Sequence, residues 1–288
     1  MSAPLHLYLH VPFCVKQCTS CTQKTYPATP DTCASYAAAL LAEVEAAAPD
    51  FSDSVVQTVY WSGGSPTALS QADFLRIMLR LRDLFHFAPD AEVSVEALPN
   101  QVNASWMVTF QNAGVNRLVL GLVSARAVEL ERFGSASNTP SGETSLILPQ
   151  LFHLPAYEAS LLYGIPGQTA ANFRTSLRFA VKYKVSALRL DPMILADSTG
   201  VQQNEIPAML AYAAEHLTEK GYREYLPGRW AKPGMECQDL LARQSTADYL
   251  SFGVGTTSRI DGCFSKTTDN ISVYTLHPQE PEVLYSIL

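Results

Sequence analysis

The chain has 288 residues, 47% of them hydrophobic, and a formal net charge of −7. That length suits one large α/β domain or two ordinary ones. The acidic balance and the lack of any basic run argue against nucleic acid as a partner, and no stretch approaches the roughly 18 apolar residues of a membrane span. The N-terminus shows no targeting pattern, so the expected setting is a reducing cytoplasm in which thiols stay available.

In chain order, residues 5–11 read as a first strand and 32–48 as a helix rich in Ala and Leu. Residues 55–61 are dense in β-branched and aromatic side chains and read as a strand. Residues 71–85 carry helical apolar spacing behind Ser70, a candidate cap. The pattern continues with a short strand at 92–96, a helix at 104–113, a strand at 117–121 and a helix at 125–133. After a less regular segment with a weak helix at 144–152 come a strand at 158–163, a helix at 170–182 and a strand at 187–194. A helix at 206–220 takes Pro207 in its first turn and Gly221 just past its end. Strands that each precede a helix argue for parallel βαβ units. Beyond Gly221 the alternation decays: 221–234 looks loop-like, 248–254 suits a last strand, Asp261-Gly262 a turn, and 277–288 an edge or docking tail.

Cys14, Cys18 and Cys21 form a CxxxCxxC cluster directly after the first strand. Three thiolates can hold an iron–sulfur cubane with one iron left open for chemistry. Zinc is the alternative, although no second cysteine pair follows, and so is one disulfide with a free thiol. Cys33, Cys237 and Cys263 stand alone and read as buried small apolar residues. In a parallel barrel the C-terminal strand ends share one mouth. The cysteines, Gly63-Gly64, Glu96, Gly121 and Asp191 would meet there.

The strings Tyr8-Leu9-His10-Val11-Pro12-Phe13-Cys14, Gly63-Gly64-Ser65-Pro66-Thr67, Ala113-Gly114-Val115-Asn116-Arg117-Leu118 and Tyr163-Gly164-Ile165-Pro166-Gly167-Gln168-Thr169 add a further signal. Together they resemble the radical S-adenosylmethionine superfamily, and within it the oxygen-independent coproporphyrinogen III oxidase and haem-chaperone group. The resemblance implies an α/β fold, a partial (β/α)6 TIM-like barrel. We place it at residues 1–220, with a small C-terminal extension at 221–288. It implies a [4Fe–4S] cluster on Cys14, Cys18 and Cys21, with S-adenosylmethionine on the open iron and contacts from Tyr8, Gly63, Gly64, Ser65 and Glu96. It further implies an oxidoreductase that generates a 5′-deoxyadenosyl radical. The substrate would be a small molecule, tetrapyrrole-related as in porphyrin biosynthesis, and the electron donor a flavodoxin or ferredoxin.

The chain also departs from that group. Ser20 and Thr22 flank the third cysteine where the group has an aromatic residue and Asp or Gly. Val123, Ser135 and Ser160 stand where the oxidase has Gln, Arg and Asp in contact with S-adenosylmethionine. The stretch from Cys237 to Gln244 replaces the His-Asn-x-x-Tyr-Trp motif of the haem chaperones, so haem is a candidate cofactor only through some other ligand. Two alternatives therefore stand beside the enzyme: a haem-binding or haem-trafficking protein, and a homologue that keeps the cluster without radical chemistry.

Overall fold

The computed structural model describes residues 3–14, 16–18, 21, 24–193, 200, 202–278 and 282–286. Ser20, Thr22 and Ile194 lie outside the described residues. In chain order the elements are β1 (Pro4–Val11), β2 (Phe13–Cys14), β3 (Tyr26–Pro27), α1 (Pro30–Ala47), β4 (Val55–Gly63), α2 (Gln71–Leu84), β5 (His86–Ala97) and α3 (Ala104–Ala113). There follow β6 (Arg117–Val123), α4 (Ala127–Phe133), α5 (Thr139–Leu151), β7 (Ala156–Tyr163), α6 (Ala170–Lys182), β8 (Ala187–Pro192) and α7 (Ile206–Glu219). The last part holds β9 (Arg223–Leu226), β10 (Arg229–Ala231), α8 (Gln238–Gln244), β11 (Asp248–Phe252), β12 (Thr257–Ile260), β13 (Cys263–Lys266), α9 (Ile271–Leu276) and β14 (Glu282–Ser286).

Strands β1, β4, β5, β6, β7 and β8 are hydrogen-bonded in that order, each pair parallel. These are the parallel βαβ units that the alternation of strands and helices predicts, in the six-unit α/β partial barrel that the resemblance implies. Residues after 220 extend both edges of the same sheet. The β9–β10 hairpin adds antiparallel to β8, and β11 adds parallel to β1, followed by β12, β13 and β14.

Period-two alternation sorts the strand residues. Leu5, Leu7, Leu9 and Val11 of β1, with Val59 and Trp61 of β4 and Val93 and Val95 of β5, are buried in the layer shared with the helices. His6, Tyr8 and His10, with Thr58, Tyr60 and Ser62, and Glu92, Ser94 and Glu96, take the alternate positions that face the barrel interior. Helix ends follow their local chemistry. Ser70 caps α2 by accepting from the Asp73 N–H, as expected, and Thr29 caps α1 in a capping box with Thr32.

Some expectations need correction. β5 begins at His86, not 92, although Pro89 and Asp90 are poor strand formers. The irregular segment is one helix from Thr139, started by an Asn138–Ser141 capping box. The loop-like stretch after Gly221 forms β9 and β10, and α8 was not foreseen. The expected turn at Asp261-Gly262, with φ of 49° and 73°, joins β12 to β13, and the tail supplies the edge strand β14. Among the described residues no helix is long and apolar enough to cross a membrane.

Candidate functional site

β1 runs at its C-terminal end into β2 and Cys14, and the end of β4 is pressed onto this junction. The Gly64 N–H donates to Val11 O at 2.7 Å and the Ser65 N–H to Phe13 O at 2.8 Å. A Cβ on Gly64 would lie 2.4 Å from Phe13 O. Gly63 has φ +117°, and a Cβ there would lie 2.7 Å from Val11 O and 2.8 Å from the His10 ring. The glycines thus let one strand end touch the backbone that carries the first cysteine. Their missing side chains make room for backbone, and Gly64 also borders the cavity at the strand ends. Ser65 is buried, and its hydroxyl bonds with Gln101 and with Thr67 at 2.8 Å.

Cys14, Cys18 and Cys21 are partly exposed thiols outside any disulfide. The Cys21 N–H donates to Cys18 O at 3.1 Å. Burial, then the neighbouring Cys21 and Cys18, pushes the Cys14 thiol up to about 11. Burial and then Cys21 also raise Cys18, against the opposing pull of Lys16. Among the described residues no three side chains of ligand type already form a metal cage. The donor set nevertheless fits a cationic cluster: thiolates that repel one another are stabilised by metal that takes all of them. Cys33 and Cys237 are buried as expected, whereas Cys263 is exposed.

A cavity opens at the strand ends, lined by Gly64, Glu96, Val119, Gly121, Ser160 and Arg189. Glu96, at the end of β5, accepts from Tyr60 at 2.6 Å, from Arg189 Nη1 at 2.8 Å and from Ser62. Burial alone would raise this carboxyl, but the Arg189 charge and the three hydrogen bonds outweigh it and hold it below its ordinary value. Arg189 is the residue the sequence reading missed. Its one signal is a charge inside the apolar stretch Ala187-Leu188-Arg189-Leu190, on the face that carries no helix.

Tyr8 lies inside the barrel. Its hydroxyl bonds with His10 Nδ1 at 3.0 Å, and the Arg243 guanidinium sits 4.9 Å from its ring centroid. Asp191 pairs with Arg229 at 2.7 Å, outside the cavity-lining set. Of the three departing positions, Ser160 alone lines the cavity. Val123 is in the left-handed region at φ 62° and packs with Leu130 and Ile165. Ser135 Oγ accepts from the Ser137 N–H at 3.0 Å.

The N-terminal end of the barrel is closed by α8. Asp239, fully buried, accepts from Arg243 at 2.7 Å, Tyr249 at 2.8 Å and Thr58 at 3.3 Å. Glu92 accepts from the backbone N–H groups of Gln238 and Asp239, from the Cys237 thiol and, at 2.8 Å, from Arg117. Glu158 joins the two ends of the barrel, 3.7 Å from Arg117 and 3.4 Å from Arg189. The stretch aligned with the haem motif is therefore α8, at the end of the barrel opposite the thiols.

No family model matches the chain. It is 31% identical over 273 residues to haem chaperone HemW of Mycobacterium tuberculosis, which spans 88% of this chain and 68% of that protein. It is 27% identical over 300 residues to oxygen-independent coproporphyrinogen III oxidase of Escherichia coli, across 94% of this chain and 65% of the relative. The solved structure of coproporphyrinogen III oxidase (HemN) from Escherichia coli, described as a radical SAM enzyme, matches with a TM-score of 0.86 at 23% identity. That match spans 99% of this chain and 73% of the other, and it shows a shared fold.

Proposed function

The chain belongs to the family that groups haem chaperone HemW with oxygen-independent coproporphyrinogen III oxidase, and from that membership we infer a radical S-adenosylmethionine protein with its site at the barrel mouth. Cys14, Cys18 and Cys21 hold a [4Fe–4S] cluster, and S-adenosylmethionine binds beside it over Gly64 and Glu96. When bound, this pair supplies reductive cleavage of S-adenosylmethionine to methionine and a 5′-deoxyadenosyl radical that abstracts hydrogen from a substrate. The chain's own residues bind and orient. Gly63 and Gly64 fix the β4 end against the cysteine-bearing backbone. Glu96, kept ionised by Arg189, accepts a hydrogen bond from the ligand. Val119 and Gly121 give the cavity a small, partly apolar wall.

The observation that carries this reading is the convergence of the thiols, the Gly63-Gly64 junction and Glu96 at one end of the parallel strands. The substrate is a tetrapyrrole-type small molecule, in line with what the relatives' names describe, and a flavodoxin or ferredoxin in a reducing cytoplasm delivers the electron. The second reading, haem trafficking, is favoured by the 31% identity to a haem chaperone. Against it, α8 offers no histidine. The test is anaerobic incubation of the cluster-reconstituted chain with S-adenosylmethionine and a reductant. Release of 5′-deoxyadenosine is the expected result. Haem binding without cleavage would establish the second reading, and an intact cluster with neither would leave a structural or regulatory role.

A further inference from the structure

Arg189 stands on β8 in register with Ser160 of β7, and both line the mouth cavity. Its Nη1 donates to Glu96 Oε1 at 2.8 Å and its Nη2 to the Tyr60 oxygen at 2.9 Å. Tyr60 donates to the same Oε1 at 2.6 Å. Oε1 thus has both lone pairs engaged, whereas among the described residues Oε2 accepts from Ser62 alone, which leaves it one acceptor position. The Glu96 side chain is 29% exposed, so the carboxylate is not sealed off. Ser160 matters for what it is not. An acid at that register position would draw the guanidinium away from Glu96.

We propose that Arg189 is a positioning residue for ligand binding. It clamps one oxygen of Glu96 against Tyr60, and the carboxylate then offers its other oxygen to a single ammonium or hydroxyl donor of the ligand. The proposal rests on the S-adenosylmethionine site inferred above; that molecule carries donors of both kinds. It also gives the mouth a polar anchor drawn from β8, where positions 123, 135 and 160 provide none with charge. The charged and titratable groups facing Glu96 are Tyr8 on β1, Tyr60 on β4, Glu158 on β7 through Arg189, and Arg189 itself. Among the described residues Arg189 is the one cation paired with it. Its removal raises the pH at which Glu96 takes up a proton.

The test uses the full-length chain with no reductant. Binding of S-adenosylmethionine is measured by equilibrium dialysis from about pH 4 to pH 8, with the Glu96 carboxyl carbon followed by NMR over the same range. Arg189→Met is expected to weaken binding about tenfold at the upper end. It should also move both the Glu96 titration and the acid-side loss of binding to higher pH. Arg189→Lys should recover most of the affinity, and Ser160→Asp should move the Glu96 titration in the same direction as Arg189→Met. An unchanged Glu96 titration in Arg189→Met would overturn the proposal. So would a weakening equal at every pH with no rescue by lysine. If the unmodified chain binds no S-adenosylmethionine, the reading of the site fails, and the Glu96 titration alone decides the clamp.

Discussion

The two ends of the barrel interior are built from the same residue types and behave oppositely. At the closed end, Asp239 and Glu92 spend their oxygens on Arg243, Arg117, Tyr249 and the first N–H groups of α8. At the mouth, Glu96 keeps an acceptor position among the described residues and lies in an open cavity beside glycines and a serine. Burial dominates at the closed end and pushes Asp239 up to about 6. At the mouth burial also pushes upward, but the adjacent arginine and the hydrogen bonds from Ser62, Tyr60 and Arg189 together outweigh it and hold Glu96 down. A polar barrel interior therefore does two things: one end joins the chain's last third to its first strands, and the other borders an open cavity.

Substitutions at each end sharpen this contrast. The largest effect is expected from Cys18→Ala. It should abolish the visible iron–sulfur absorbance of the reconstituted protein and leave the denaturant midpoint of the cluster-free chain nearly unmoved, since Cys18 is partly exposed. Retained absorbance would break the assignment. Next comes Arg117→Met at the closed end, where the side chain is 4% exposed. It strips a partner from Glu92, Glu158 and the Met235 and Glu236 carbonyls. Urea unfolding should show a loss of about 3–5 kcal/mol.

A pH series separates the carboxylates. Asp239 binds its proton more tightly in the folded chain than in the unfolded one. Its contribution to stability is therefore full at low pH and declines as pH rises from about 4 to about 6. Glu96 has the opposite sign: its contribution is present above the ordinary carboxylate range and lost as pH falls. Unfolding curves of Asp239→Asn should be flatter between about pH 4 and pH 6, whereas Glu96→Gln should lose the acid-side dependence. Identical profiles for the two variants would erase the distinction.

The smallest effect is expected at Val123. Relief of a left-handed β-branched residue is worth about 1–3 kcal/mol, and loss of a buried valine side chain costs about 1.5–3 kcal/mol. Val123→Gly should therefore unfold within about 1 kcal/mol of the unmodified chain.

The six βα units and the meeting of strand ends were legible because each strand and helix announces itself locally. Helix α3 illustrates this: Asn103 caps it and Gly114, at φ 73°, ends it. Strand β5 was read short because Pro89 and Asp90 mask its first half, which only pairing with β4 supports. Helix α8 was missed because it is held by Glu92, 146 positions upstream of Gln238. The same holds for Arg189, whose partner Glu96 lies 93 residues away. Spacing motifs report neighbours in sequence. Closing the barrel makes neighbours of residues that have none in common. The glycine pair, expected to contact a ligand, also makes room for Phe13 and Val11 backbone, a role that only the folded chain displays.

The alternation along each strand has a further consequence. Leu188 and Leu190 belong to the apolar layer, while Arg189 between them belongs to the interior. At the mouth, a substitution on one alternation set thus bears mainly on folding and one on the other set mainly on the cavity. At the mouth such a scaffold can exchange its inward-facing residues one at a time and still fold. Ser160 and Arg189 can therefore be revised while the architecture stays the same: heredity of the wall and revision of the room inside it proceed on separate sets of residues.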